Sequence, residues 1–161
     1  MKKAVLVFYL IGFLSLCVFA QQGVIRELSG TVELKNSGAS SFVQANSGDL
    51  VMEDTVISTG FKSSALIEAG SALITVRPLT RLSFAEIRLI SGTETLNVNL
   101  QAGRVRVDVK PLTGTKASMT VTSPTATASV RGTSFELDVK KLTVLEGKAA
   151  YISSKGITVN V

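Results

Sequence analysis

Histidine is absent from this chain, and cysteine occurs once, at Cys17. Together these gaps remove serine–histidine–aspartate and cysteine–histidine catalysis, thiolate or imidazole zinc sites and haem attachment. Tryptophan is also absent and tyrosine occurs only twice, which counts against a carbohydrate-binding platform and against base-stacking recognition of nucleic acid. No Ser-x-x-Lys, G-x-G-x-x-G or G-x-x-x-x-G-K-[ST] pattern occurs, so neither a lysine-activated serine nor a phosphate-cradling loop has a signal. Charged residues make up 18% of the chain and alternate in sign without forming a block; the net charge is +5. No polyanion-binding tract is expected from that pattern. Among the twelve acidic residues, Asp49, Glu53 and Asp54 lie close together. They read as turn-capping, solvent-facing groups, because no calcium loop surrounds them and sequence spacing does not define a glycosidase pair. No catalytic residue, metal ligand or cofactor is expected.

What the chain does contain is apolar material, 45% of its 161 residues, enough for one packed domain. The first residues stand apart from that core. Lys2 and Lys3 precede a nearly unbroken apolar run, Ala4 to Leu16, and Val18-Phe19-Ala20 follows. This is the pattern of a secretory signal peptide, with cleavage expected between Ala20 and Gln21. The run falls short of the roughly 20 apolar residues that span a bilayer, so no integral segment is expected after cleavage. Cys17 follows Leu16, which is larger than a lipoprotein signal accepts before its cysteine, and reads as an ordinary residue of the apolar stretch. A mature chain from Gln21 then has no cysteine, and its core must hold it together without disulfides in a periplasmic or secreted setting.

From Gly23 onward the apolar residues recur with period two, the signature of strands with one buried face. The clearest runs are Leu96 to Gln101 and Arg104 to Lys110, separated by Ala102-Gly103. Gly30 to Lys35, Ala72 to Arg77, Phe135 to Val139, Leu142 to Leu145 and Gly156 to Val161 alternate in the same way. Turn signals lie between the runs, at Asn36-Ser37-Gly38, Asn46-Ser47-Gly48-Asp49, Ser91-Gly92 and Gly114. The pattern predicts a single all-β domain over residues 21–161, with about ten to twelve short strands in a roll, sandwich or irregular solenoid-like array. Gly30, Gly103, Gly147 and Gly156 each open an alternating run, a placement expected where the backbone turns a corner at positive φ.

Two features bear on binding. Arg104, Arg106 and Lys110 share one face of a predicted strand, with Asp108 among them. They read as the solvated side of an amphipathic strand, the alternative being a basic face for an acidic partner. Arg131 stands between Val130 and Gly132 after a run of small residues, 123–129. Its five donors suit a clamp on the carbonyls of neighbouring turns, which reads as a structural role rather than a ligand contact.

These residues also carry a resemblance. Val130-Arg131-Gly132-Thr133-x-Phe135, preceded by Ser123-Pro124-Thr125-Ala126, resembles the signature near the end of the FecR domain. Gly48-Asp49-x-Val51, Ile57-Ser58-Thr59-Gly60 and Ser64-Ala65 are similar to that family's opening motif. Gly70-Ser71, Val76-Arg77-Pro78, Leu100-x-x-Gly103-x-Val105-x-Val107 and Val144-Leu145-Glu146-Gly147 continue in the same order. The resemblance implies an all-β module that works outside the cytoplasm. In iron-transport regulators with such a module, it relays a receptor's state through a membrane span to an anti-sigma segment. This chain shows a signal peptide in place of that span, so signalling by the chain alone is not carried over. The function expected is an exported, non-catalytic binding or scaffold module whose partner is another cell-envelope protein. A sensor subunit acting with a separate membrane protein is one alternative class, and a carbohydrate-binding module, disfavoured by the scarce aromatics, is another. The terminal run Ile157 to Val161 is the expected exposed edge, open to strand addition.

Overall fold

The computed structural model describes residues 22–90, 92–110, 116–130, 134–139, 141–146, 149–153 and 158–160. The apolar run at 1–20 and the Arg131-Gly132-Thr133 segment lie outside these residues. Sixteen strands are described and the helix content is nil among them. They form two sheets, with orders β14-β13-β10-β7-β6-β1-β4 and β16-β15-β12-β11-β9-β8-β5-β2-β3. The first sheet contains β1 (Gly23–Ser29), β4 (Leu50–Val51), β6 (Ser64–Ala69), β7 (Ala72–Val76), β10 (Arg104–Val109), β13 (Ser134–Asp138) and β14 (Leu142–Glu146). The second contains β2 (Val32–Lys35), β3 (Val43–Gln44), β5 (Val56–Thr59), β8 (Arg81–Ile90), β9 (Thr93–Ala102), β11 (Lys116–Thr122), β12 (Ala126–Val130), β15 (Ala149–Ser153) and β16 (Thr158–Asn160). The fold is therefore all-β and open, with more strands than the alternation predicts. Two of the additional strands, β3 and β4, are only two residues long, too short for periodicity to reveal.

Most strands bury alternate residues, as in β5, β6, β7, β10, β12 and β13, and the two buried faces share one core. Ile67, Ile74, Val105, Val107, Phe135 and Leu137 enter it from the first sheet. Ile57, Leu82, Phe84, Val98, Leu100 and Met119 enter it from the second. Phe84 and Phe135 are among the largest fully buried side chains. An aromatic core residue of this size buries enough area to dominate local packing.

The chain repeatedly crosses between the sheets. The runs on either side of Gly103 do not pair with each other: β9 bonds to β8 and β11, while β10 bonds to β7 and β13. Because β10 carries the chain through the opposite sheet, β11 returns alongside β9 in the same direction, and the two pair in parallel. A parallel neighbour needs such a crossover, usually supplied by a helix and here by a strand. The β13–β14 pair is an antiparallel hairpin.

Candidate functional site

At one end of the two sheets, four crossings meet and are stitched together by hydroxyl groups. β1 passes to β2 through Gly30, and β9 passes to β10 through Gly103, with φ of +74° and +85°. At each corner the next backbone N–H donates to a side-chain oxygen, Thr31 N to Ser63 Oγ and Arg104 N to Thr80 Oγ1, both at 2.9 Å. The close approach leaves no room for a side chain. A Cβ on Gly103 would lie 2.3 Å from Thr80 Oγ1, and one on Gly30 would lie 2.4 Å from Ser63 Oγ. The loops between β5 and β6 and between β7 and β8 complete the end. Thr59 Oγ1 donates to Arg77 O at 2.6 Å and accepts from Thr80 N at 3.0 Å, while Leu79 N donates to Gly60 O at 3.2 Å. Thr59, Ser63 and Thr80 are buried, and buried hydroxyls with two or more partners hold loops in register.

Signature residues from distant parts of the chain thus collect here: Thr59, Gly60, Gly103 and, at the start of β6, Ser64. Their neighbours Ser63 and Thr80 carry no local signal, since a lone hydroxyl is common in any loop. Their partners lie 32 and 24 residues away. Gly48 and Asp49 lie apart from this end, in the β3–β4 turn that bonds to Ile25 in the middle of β1, where Asn46 N donates to Asp49 Oδ2 at 2.7 Å and Gly48 has φ +93°. Phe135 is fully buried in the core. Arg131, Gly132 and Thr133 lie outside the described residues.

Arg104 and Arg106 share the outer face of β10, Lys110 follows its last residue, and the register of β13 brings acids beside the two arginines. Arg104 stands opposite Asp138 and Arg106 opposite Glu136. Arg104 contacts Glu136 at 3.3 Å and Asp138 at 3.7 Å, and Arg77 reaches Glu136 at 3.7 Å. Arg106 grips both oxygens of Asp108, at 3.0 and 3.1 Å. That fork holds Asp108 below the usual carboxylate range, against the upward push of its partial burial, and a hydrogen bond with Ser134 adds to the lowering. The face carries both signs. Next to it, Arg77, Pro78, Leu79, Gly103, Arg104, Glu136, Asp138 and Val139 line an open groove of about 570 Å³. Gly103 forms part of its wall.

The remaining surface of interest is the sheet edges. β3 and β4, at one edge of each sheet, are two residues long. At the opposite edges, β14 bonds only to β13, and β16 bonds only to β15, among the described residues. The strand of the terminal run, Thr158–Asn160, therefore sits at an edge. None of the described acidic residues forms a cluster that could hold a metal ion. No described helix is long and apolar enough to cross a membrane.

No curated protein and no solved structure matches the chain. A family model described as FecR protein matches residues 54–150. That span includes Thr59, Gly60, Ser64, Gly103 and the 131–135 signature, while Gly48 and Asp49 precede it. Modules of this family are of periplasmic sensor or regulator type, associated with the envelope and generally working with other membrane proteins. With more than half of its length matched and the crossing-end residues inside the match, the chain belongs to the FecR family.

Proposed function

We propose that this chain is an exported, non-catalytic binding or scaffold module that recognises another envelope protein by adding a strand to its sheet. The observation that carries the proposal is the edge of the nine-stranded sheet. Thr158–Asn160 bonds to β15 on one side, and a strand with one unpaired row of amides and carbonyls is a template for a partner strand. Catalysis forms no part of the reading. Without histidine, only carboxylates, lysines and hydroxyls are available to activate a nucleophile, and the buried hydroxyls at Thr59, Ser63 and Thr80 are occupied with backbone partners.

The test is deletion of Gly156 to Val161, followed by affinity capture from envelope extracts and circular dichroism on the same protein. Reduced capture by a folded deletion supports the edge. Undiminished capture removes it as the binding site, and loss of the folded signal makes the strand part of the obligatory core. Membership of the FecR family favours a second reading, a sensor subunit acting through a separate membrane protein. Cross-linking in intact cells that repeatedly recovers an integral membrane protein selects that reading.

A further inference from the structure

Phe61 and Leu79 are the two most exposed large apolar side chains among the described residues, 74% and 61% accessible. They come from different loops, 60–63 and 77–80, which the Leu79 N to Gly60 O hydrogen bond holds side by side. Their display is built into the backbone. Lys62 and Leu79 both adopt positive φ, +54° and +55°, a region that non-glycine residues seldom occupy unless their surroundings impose it. Here the surroundings are the buried hydroxyls of Thr59, Ser63 and Thr80, which anchor the loop bases while Phe61, Lys62, Pro78 and Leu79 face outward.

The loops that carry this tip are basic. The two loops contain Lys62 and Arg77 and no acid, and Arg104 and Lys141 are exposed beside them. Glu136 is occupied with Arg77 and Arg104, and Asp138 with Arg104. Along the β3–β4 edge, Leu50 and Met52 are also exposed, but that segment, 46–55, carries Asp49, Glu53 and Asp54 and no cation. We propose that the Phe61–Leu79 tip is a docking point for an anionic lipid surface. Its two apolar side chains would enter the headgroup–acyl boundary while Lys62 and Arg77 lie at the level of the lipid phosphates. Projecting apolar tips flanked by cations match an amphipathic interface, where apolar contact and attraction to anionic headgroups add. A protein partner would more often bury such side chains in a matching pocket. The inference does not depend on the strand-edge reading, which concerns a different surface.

The test is co-sedimentation of the chain beginning at Gln21, whose described strands all lie from Gly23 onward. The vesicles would be phosphatidylethanolamine–phosphatidylglycerol on one hand and phosphatidylcholine alone on the other. The expected result is binding to the anionic vesicles that weakens with salt and is much weaker on the neutral ones. Phe61→Ser combined with Leu79→Asn should reduce it by roughly a hundredfold, the loss expected for withdrawing two large apolar side chains. Asparagine tolerates positive φ, and both sites are exposed, so an unchanged dichroism spectrum is expected. Leu50→Ser with Met52→Ser, in the acidic 46–55 segment, should leave binding unaltered. Absence of binding by the parent chain overturns the proposal, as does equal binding by the tip variant. A tip variant that keeps any vesicle binding of the parent but loses capture of an envelope protein reassigns the tip to a protein contact.

Discussion

Replacing Gly103 by alanine tests whether the crossing end holds the two sheets together. Three costs add at that position. A residue with a Cβ at φ +85° incurs about 1–2 kcal/mol of backbone strain. The new methyl would lie 2.5 Å from Thr80 Cα and 2.6 Å from Leu79 O, and displacing well-packed backbone costs about 1–3 kcal/mol. If Thr80 moves, its hydroxyl loses the bonds to Arg104 N and Arg104 O, at 2.9 and 3.1 Å, each worth about 1 kcal/mol net. The total is on the order of 4–7 kcal/mol, a large part of the 5–15 kcal/mol by which domains are typically stable. Urea unfolding of the chain from Gln21, followed by far-ultraviolet circular dichroism, should show the midpoint falling by about 3–5 M at a slope near 1.5 kcal/mol/M. Gly48→Ala is the internal control. Its φ is also positive, but nothing lies within 4 Å of the added Cβ, so only the backbone cost applies. Reduced freedom of the unfolded chain offsets part of that, leaving about 1 kcal/mol. Equal midpoints for the two variants would refute the reasoning, because close approach and hydroxyl stitching would then contribute nothing at Gly103.

Thr59→Val keeps the shape of a buried residue while removing the oxygen that serves Arg77 O and Thr80 N; two unsatisfied backbone groups should cost about 2–4 kcal/mol in the same urea assay. Asp108 has a folded pKa depressed chiefly by its hydrogen bond to Arg106, so its contribution is present above the unfolded carboxylate pKa and is lost as pH falls through the folded value. Unfolding midpoints measured from pH 6 down to pH 2 should therefore decline less steeply for Asp108→Asn than for the parent, and identical slopes would contradict the pairing. Intact-mass measurement of the exported protein should give a chain starting at Gln21, whereas a mass that retains Cys17 with acyl chains would show lipidation.

How much of this was legible beforehand depends on what kind of information each feature needs. The faces of the strands were readable because burial alternates with a period of two, a property of the backbone alone. Leu96, Val98 and Leu100 could be assigned to the interior without knowing any partner, and so could Val105, Val107 and Phe135. The corner glycines were readable too, since Gly30 and Gly103 each open an alternating run and both have positive φ. Which sheet a strand joins was not readable. Both sheets bury their inner faces in the same core, so the runs before and after Gly103 show the same alternation whether they pair with each other or face each other across the interior. The character of the Arg104–Arg106 face was likewise a tertiary matter, because Glu136 and Asp138 arrive beside it only through the register of β13. Ser63 and Thr80 had no sequence signal, since a hydroxyl becomes a structural pin only when a corner some 20 to 30 residues away folds onto it. Period and turn chemistry are local and survive in a linear string. Pairing, charge compensation and close approach belong to residues that meet only when the chain crosses between its sheets.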